Sequence, residues 1–171
     1  KRRYVECERW RDALVAHVGL TKPDILIIGS ASTYPFDDAA WVTGTRSLLY
    51  RLRASAGKIV VLAPPPLLPF RPLDCVVAQG EVTSGELEAE GCSAPLEDAR
   101  QERVARLLVQ ATRGMPNVVV VTLDEVVCPD GESWAVTDGD LVFRDTVHLN
   151  ADFVAERHAE VSSLLVRSGI R

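Results

Sequence analysis

The sequence predicts a three-layer α/β/α sandwich built on a parallel sheet. Three observations carry that expectation. Ile25-Leu-Ile-Ile28, Ile59-Val-Val-Leu62 and Asn117-Val-Val-Val-Val121 are short, β-branched apolar runs of the kind buried on both faces of a sheet. Longer segments between them repeat apolar residues at helical spacing. The alternation of helix and strand puts crossover helices over both faces of parallel strands.

Each element follows from its residues. Residues 6–18 carry Trp10, Leu14 and Val18 on one helical stripe. Thr21-Lys-Pro-Asp24 reads as a turn, and the first strand then ends in Gly29-Ser30. Residues 39–56 place Leu48, Leu49 and Leu52 together, with Gly57 as the expected C-cap. After the second strand, Pro64, Pro65 and Pro66 stop regular structure. Pro69, Pro72, Gly80, Gly85 and Gly91 extend this into a long loop. A helix over 95–113 is expected next, with Pro95 in its first turn. Val104, Leu107, Leu108 and Ala111 form its inner face, and Gly114 ends it. Cys128-Pro-Asp-Gly131 lies in a loop, and Leu141-Val-Phe143 reads as a short strand. The last helix is expected from about Asn150 to Ser168, with Val154, Val161 and Leu165 inward. A doubly wound sheet ordinarily begins with a central strand, whereas this chain opens on a helix. A first strand is therefore expected upstream. Lys1-Arg2-Arg3-Tyr4, without an initiator Met, reads as an internal boundary.

The bulk properties exclude some functions. A chain of 171 residues with 47% hydrophobic and 25% charged residues suits one globular domain. A net charge of −5 argues against nucleic acid as a partner, because phosphate backbones are repelled. No apolar run has the length of a membrane span. Cys7, Cys75, Cys92 and Cys128 include no CxxC pair, which leaves zinc without support. Cys75 and Cys92 flank a polar, Gly-rich stretch. A disulfide closing it would suit an oxidising compartment; four buried thiols in a reducing one are the alternative.

Ligand sites of open α/β sheets form beyond the carboxyl ends of the strands. Two segments belong there: Gly29-Ser30-Ala31-Ser32-Thr33-Tyr34, and Asp145-Thr-Val-His148 before the last helix. A carboxylate three residues before a histidine can fix one imidazole nitrogen and leave the other to take a proton from a hydroxyl. The bland reading is that Asp145 ends a strand and His148 begins a helix. His158 fits the apolar face of the last helix, and His17 fits a helix C-terminus; neither is assigned a role. The chain has neither a Gly-x-Ser-x-Gly elbow nor a Gly-Asp-Ser block. Ser30 and Ser32 are more natural as backbone-satisfying hydroxyls than as nucleophiles. The Gly29–Thr33 loop is expected to help stabilise an oxyanion. Phosphate-binding glycine loops are lacking, which argues against a nucleotide ligand.

Several motifs occur in an order that resembles a known family. They are Cys7-Glu-Arg-Trp10 before Lys22-Pro-Asp-Ile-Leu-Ile-Ile28, then Asp74-Cys75 and Cys92, then Cys128-Pro-Asp-Gly131, then Phe143-Arg-Asp-Thr-Val-His-Leu-Asn150. Together they resemble the SGNH (GDSL-like) hydrolase superfamily, and most closely the SGNH domain carried behind the membrane domain of acyltransferase family 3 proteins. The resemblance implies a flavodoxin-like α/β fold, here a single domain over 1–171 lacking its N-terminal nucleophile block. It implies a serine in an upstream Gly-Asp-Ser block, with Asp145 and His148 completing a triad. It implies an extracytoplasmic O-acyltransferase, most simply moving acetyl from an acyl donor to an envelope glycan through an acyl-serine. The domain would be tethered to a membrane-embedded acyltransferase domain, and no metal or organic cofactor would be needed. The family's Asn-bearing oxyanion block is not recognisable, and Gly29-Ser-Ala-Ser-Thr33 stands near its place. A cysteine that follows the Cys-Pro segment in relatives is replaced by the Ser133-Trp134 neighbourhood, so Cys128 is either free or paired with Cys7. An esterase or deacetylase with the same site is one alternative. A degenerate module that binds glycan or docks on its membrane partner is another, and a doubly wound binding domain with an accidental DxxH is a third.

Overall fold

The computed structural model describes residues 3–78, 91–96 and 99–170. Gly80 and Gly85 lie outside them. In chain order the elements begin α1 (Val5–Thr21), β1 (Ile25–Gly29), α2 (Asp38–Leu52), β2 (Lys58–Leu62) and α3 (Pro72–Ala78). β3 (Ser93–Pro95), α4 (Ala99–Thr112), β4 (Val118–Val121) and α5 (Asp124–Val127) follow. The chain ends with β5 (Glu132–Trp134), β6 (Val136–Thr137), β7 (Asp140–Leu141), α6 (Ala151–Glu156) and α7 (His158–Arg167).

The central sheet is parallel with order β1-β2-β4, so the three apolar runs are its strands. Successive side chains point to opposite faces. Leu26, Ile28, Ile59, Val61, Val118 and Val120 pack with α1, α2 and α4 in one apolar cluster. Val60, Val119 and Val121 pack with Leu164, Leu165 and Ile170 at the other face. That is the three-layer sandwich. α4 buries the residues its periodicity nominated, with Val104 and Ala111 fully buried and Leu107 and Leu108 nearly so. A third cluster lies beyond the strand ends, formed by Leu68, Cys92, Val142, Phe143 and Phe153 among others.

Local chemistry sets the element ends. The Asp37 carboxylate accepts from the Ala40 N–H at 2.7 Å and caps α2. Gly114, at φ +79°, ends α4 in the left-handed region.

Several sequence expectations need correction. α2 closes at Arg53, so Gly57 is not its cap. Gly57 is needed for a different reason: a Cβ there would sit 2.7 Å from the Asp24 carbonyl oxygen, where the turn before β1 presses against the start of β2. The proline-rich stretch is not all loop, because Pro72 opens α3. Pro95 closes the short strand β3 opposite Glu132 rather than starting α4. Leu141 pairs in β7, whereas Phe143 makes only an isolated bridge to Leu149. The last helix is two helices. Arg157, at φ −85° and ψ 19°, interrupts it, and its guanidinium reaches Asp138 at 2.6 Å while lying over the Phe153 ring. The interruption turns Phe153 inward and leaves Val154 and His158 exposed, so neither faces the core as periodicity expected.

The α1 stripe also differs. Val18 is buried, but Trp10 is 65% and Leu14 44% exposed. On β1, Ile25 and Ile27 lie on the face that Val60 shares, yet Ile27 is 52% exposed while Val60 is fully buried. β1 pairs with β2 alone among the described residues, so this edge of the sheet and the apolar surface beside it are uncovered.

Equilibrium urea unfolding tests the glycine argument. Gly57→Ala should destabilise the fold by about 1–3 kcal/mol, because its neighbour is backbone and cannot swing aside. Gly44→Ala, in α2 with nothing within 4 Å of the added methyl, should stabilise it by about 0.4–1 kcal/mol.

Candidate functional site

The segment from 142 to 150 is folded back on itself. Phe143 bridges Leu149, the Arg144 N–H donates to the His148 carbonyl at 2.9 Å, and the Asn150 N–H donates to the Val142 carbonyl at 2.9 Å. Val142 and Phe143 are completely buried, which anchors the base of the loop. Asn150 then accepts from the Asp152 N–H and caps α6. The loop tip is pinned to the proline-rich segment, since the Leu68 N–H donates to the Thr146 carbonyl at 3.1 Å.

Within that frame Asp145 is the organising residue. Its Oδ1 accepts from the N–H groups of Val147 and His148, each at 2.9 Å, closing an Asx-type turn. His148 Nδ1 lies 2.9 Å from Oδ2 and 3.0 Å from Oδ1 of the same carboxylate. An ionised carboxylate can only accept, so Nδ1 carries the proton and Nε2 is left to accept one. The Val147 backbone N–H, followed by the His148 ring, holds the Asp145 carboxyl down at about 2. It is therefore ionised at neutral pH.

Gly29, Ser30, Ser32 and His148 line one cleft of about 460 Å³ at the carboxyl ends of β1 and β2, so the structure brings the two nominated segments together. The serines differ. Ser30 Oγ donates to the Leu62 carbonyl at 2.9 Å, tying the end of β1 to the end of β2. That hydroxyl is committed to structure. Ser32 is 6% exposed, and its Oγ has no hydrogen-bond partner among the described residues. A buried hydroxyl without a partner is costly in a folded protein. Gly29 leaves the cleft wall free of a side chain.

Sequence reasoning missed the proline wall and Leu123 of this cleft. Pro64 and Pro65 form a wall rather than merely ending a strand, and Leu123 adds to the lining beside the nominated Tyr34. The run of prolines directly after a buried strand was the available signal. A larger cleft, about 600 Å³, lies along α4 with Arg103, Arg106 and Arg113, and contains none of these residues.

Cys75 and Cys92 are joined by a disulfide with Cα atoms 5.9 Å apart. Cys92 is completely buried in the cluster that holds Phe143 and Leu149, so the bridge braces the floor beneath the His148 loop. Cys7 is exposed, and the buried Cys128 Sγ lies 2.9 Å from Ser133 Oγ, so these two thiols are not paired with each other. Burial pushes the Cys128 thiol up.

The depressed Asp145 carboxyl has a pH consequence. Its folded value lies below the unfolded value of about 3.9, so its share of stability is present above that value and is lost as pH falls through about 2. Carboxyl carbon NMR should show Asp145 titrating near 2. A midpoint close to 4 would mean the turn is not closed in solution.

The chain matches the family described as SGNH domain (fused to AT3 domains) over residues 1–159. No curated protein gives a significant match to the chain.

Proposed function

The chain belongs to the family of SGNH domains fused to AT3 domains, and from that premise we propose that it is the acid/base half of an extracytoplasmic O-acyltransferase. The observation that supports this most directly is the Asp145–His148 pair, with Nδ1 held by the carboxylate and the ring set in the same cleft as the Gly29–Ser32 loop. Family membership makes the chain an SGNH-type, acyltransferase-associated module. The particular reaction proposed is transfer of an acyl group, acetyl being the smallest, to a hydroxyl of an envelope glycan. The Cys75–Cys92 disulfide supports an oxidising compartment, on the periplasmic side or the outer face of the membrane.

The nucleophile of this reading is a serine on a segment that adds beside β1. The uncovered β1 edge supports it. So do the exposed side chains of Ile25 and Ile27 on β1, because covering one large aliphatic side chain is worth about 1.5–3 kcal/mol. The single domain is then completed by that strand.

In the first half-reaction His148 Nε2 takes the serine proton as Oγ attacks the carbonyl carbon of the acyl donor. The oxyanion accepts from Ser32 Oγ and from backbone N–H groups of the 29–32 loop. As it collapses, the bond to the leaving group breaks and the imidazolium hands its proton to that group. In the second half, the acceptor hydroxyl gives its proton to Nε2 and attacks the acyl-serine. The serine oxygen then leaves with that proton. Asp145 positions the ring and stabilises the imidazolium throughout.

His148 is 61% exposed, which favours one second reading: an esterase in which water replaces the sugar hydroxyl. The test is hydrolysis of p-nitrophenyl acetate by the protein carrying this domain with its AT3 domain, with and without an added glycan acceptor. His148→Ala should lower the rate by about 10⁶-fold, and Asp145→Asn by about 10⁴-fold. Acceptor-dependent loss of free acetate separates transferase from esterase. A folded protein that is inert, or a His148→Ala variant as active as its parent, would put a docking module in place of an enzyme.

A further inference from the structure

A second, smaller cavity of about 210 Å³ opens behind the 29–31 loop. It shares Gly29, Ser30, Ala31 and Tyr34 with the His148 cleft, so the two compartments meet at the loop to which the oxyanion role was given. Their linings differ. The cleft has His148, Ser32 and Thr33 at its wall. The inner cavity is walled by Ile28, Val61, Leu48 and Leu108, with Phe36 and Trp41 at one side. Its hydroxyl-bearing residues are Ser30, already donating to Leu62, Thr45 and the shared Tyr34.

The aromatic side is a built structure. Tyr34 and Phe36 stack with centroids 5.7 Å apart, and Trp41 meets the Phe36 ring edge-on at 5.8 Å. The Arg103 guanidinium donates to the Phe36 carbonyl at 2.9 Å and pairs with Asp38, fixing the turn that carries these rings. Trp41 is 8% exposed, and its indole N–H is buried with no partner among the described residues. Native proteins seldom leave such a donor unpaired.

Sugar rings carry a hydroxyl on nearly every carbon and need as many hydrogen-bond partners when they leave water, whereas most of this cavity's lining is aliphatic or aromatic. A hydrocarbon chain needs none and gains from apolar burial. An acyl carbon held at the 29–32 loop would direct its chain either out to solvent or into this cavity. A methyl group alone would leave most of the cavity empty, and empty apolar space forfeits dispersion contacts.

We infer that the cavity behind the 29–31 loop is the acyl-chain pocket of the enzyme, and that the acyl group it carries is an aliphatic one several carbons long rather than acetyl. This rests on the catalytic reading of His148. Tyr34 lines both compartments, and Thr45 lines the inner one alone.

The test compares p-nitrophenyl acetate, butyrate and hexanoate with the protein that carries this domain and its AT3 domain. The wild type should give a higher kcat/KM on hexanoate than on acetate. Thr45→Leu, which fills the cavity, should lower the hexanoate-to-acetate ratio by about tenfold or more, since even one methylene can be worth that in a fitted pocket. A wild-type preference for acetate, or a ratio that Thr45→Leu leaves unchanged, overturns the assignment. Failure of the catalytic reading looks different: no ester is turned over in a His148-dependent way. Hexanamide titration then decides on the pocket alone. A saturable change in tryptophan emission that is lost in Trp41→Phe and weakened in Thr45→Leu supports it, and no change overturns it. Should Thr45→Leu fail to fold, the wild-type chain-length order and the Trp41→Phe titration carry the decision.

Discussion

The site depends on one carboxylate with three hydrogen-bonding obligations. Asp145 receives the N–H groups of Val147 and His148 and the Nδ1 side of the His148 ring. Two of these close the turn and the third orients the imidazole, so backbone and side chain are set by the same group. Salt bridges this exposed contribute little to stability by themselves. Their value here lies in geometry and in the tautomer they impose. The buried pair Val142 and Phe143 and the Cys75–Cys92 bridge below make that geometry stiff. A ring with 61% exposure would otherwise be free to rotate.

The second constraint is the sheet edge. The strands β1, β2 and β4 bury both faces where helices cover them, and β1 is the place where cover ends. Exposed edges with apolar neighbours are hazards that folded proteins avoid, by capping them or by pairing them. Ile25 and Ile27 are exposed on the strand whose end supplies Gly29 and Ser30. A strand added there would end beside the His148 cleft, which is where the proposed chemistry requires a nucleophile.

Much of this was legible in the sequence, for identifiable reasons. The three apolar runs have no competing interpretation once they are short, β-branched and bounded by turns, and they became the three parallel strands. The DxxH spacing was readable because an Asx turn needs only local bonds. The failures were of two kinds. Periodicity gives a helix its stripe but not its partner, so Trp10 and Leu14 point at surface that nothing in the described chain covers. Tertiary contacts also override local pattern. Arg157 breaks the last helix to reach Asp138, and Gly57 answers to the Asp24 carbonyl instead of capping a helix. Ser30 and Ser32 could not be told apart by spacing, because what separates them is whether the Leu62 carbonyl lies in reach. The inner cavity had no sequence signal at all, since its walls come from both strands and helices that meet only in the fold.

The account stands or falls on where the reactive serine lies. A fluorophosphonate probe modifies a serine whose proton an adjacent histidine can take, and peptide mass spectrometry then locates the adduct. Applied to the protein carrying this domain with its AT3 domain, the account predicts an adduct on a serine outside residues 1–171, absent in His148→Ala. An adduct on Ser32 or Ser30, or one that persists without His148, would contradict it.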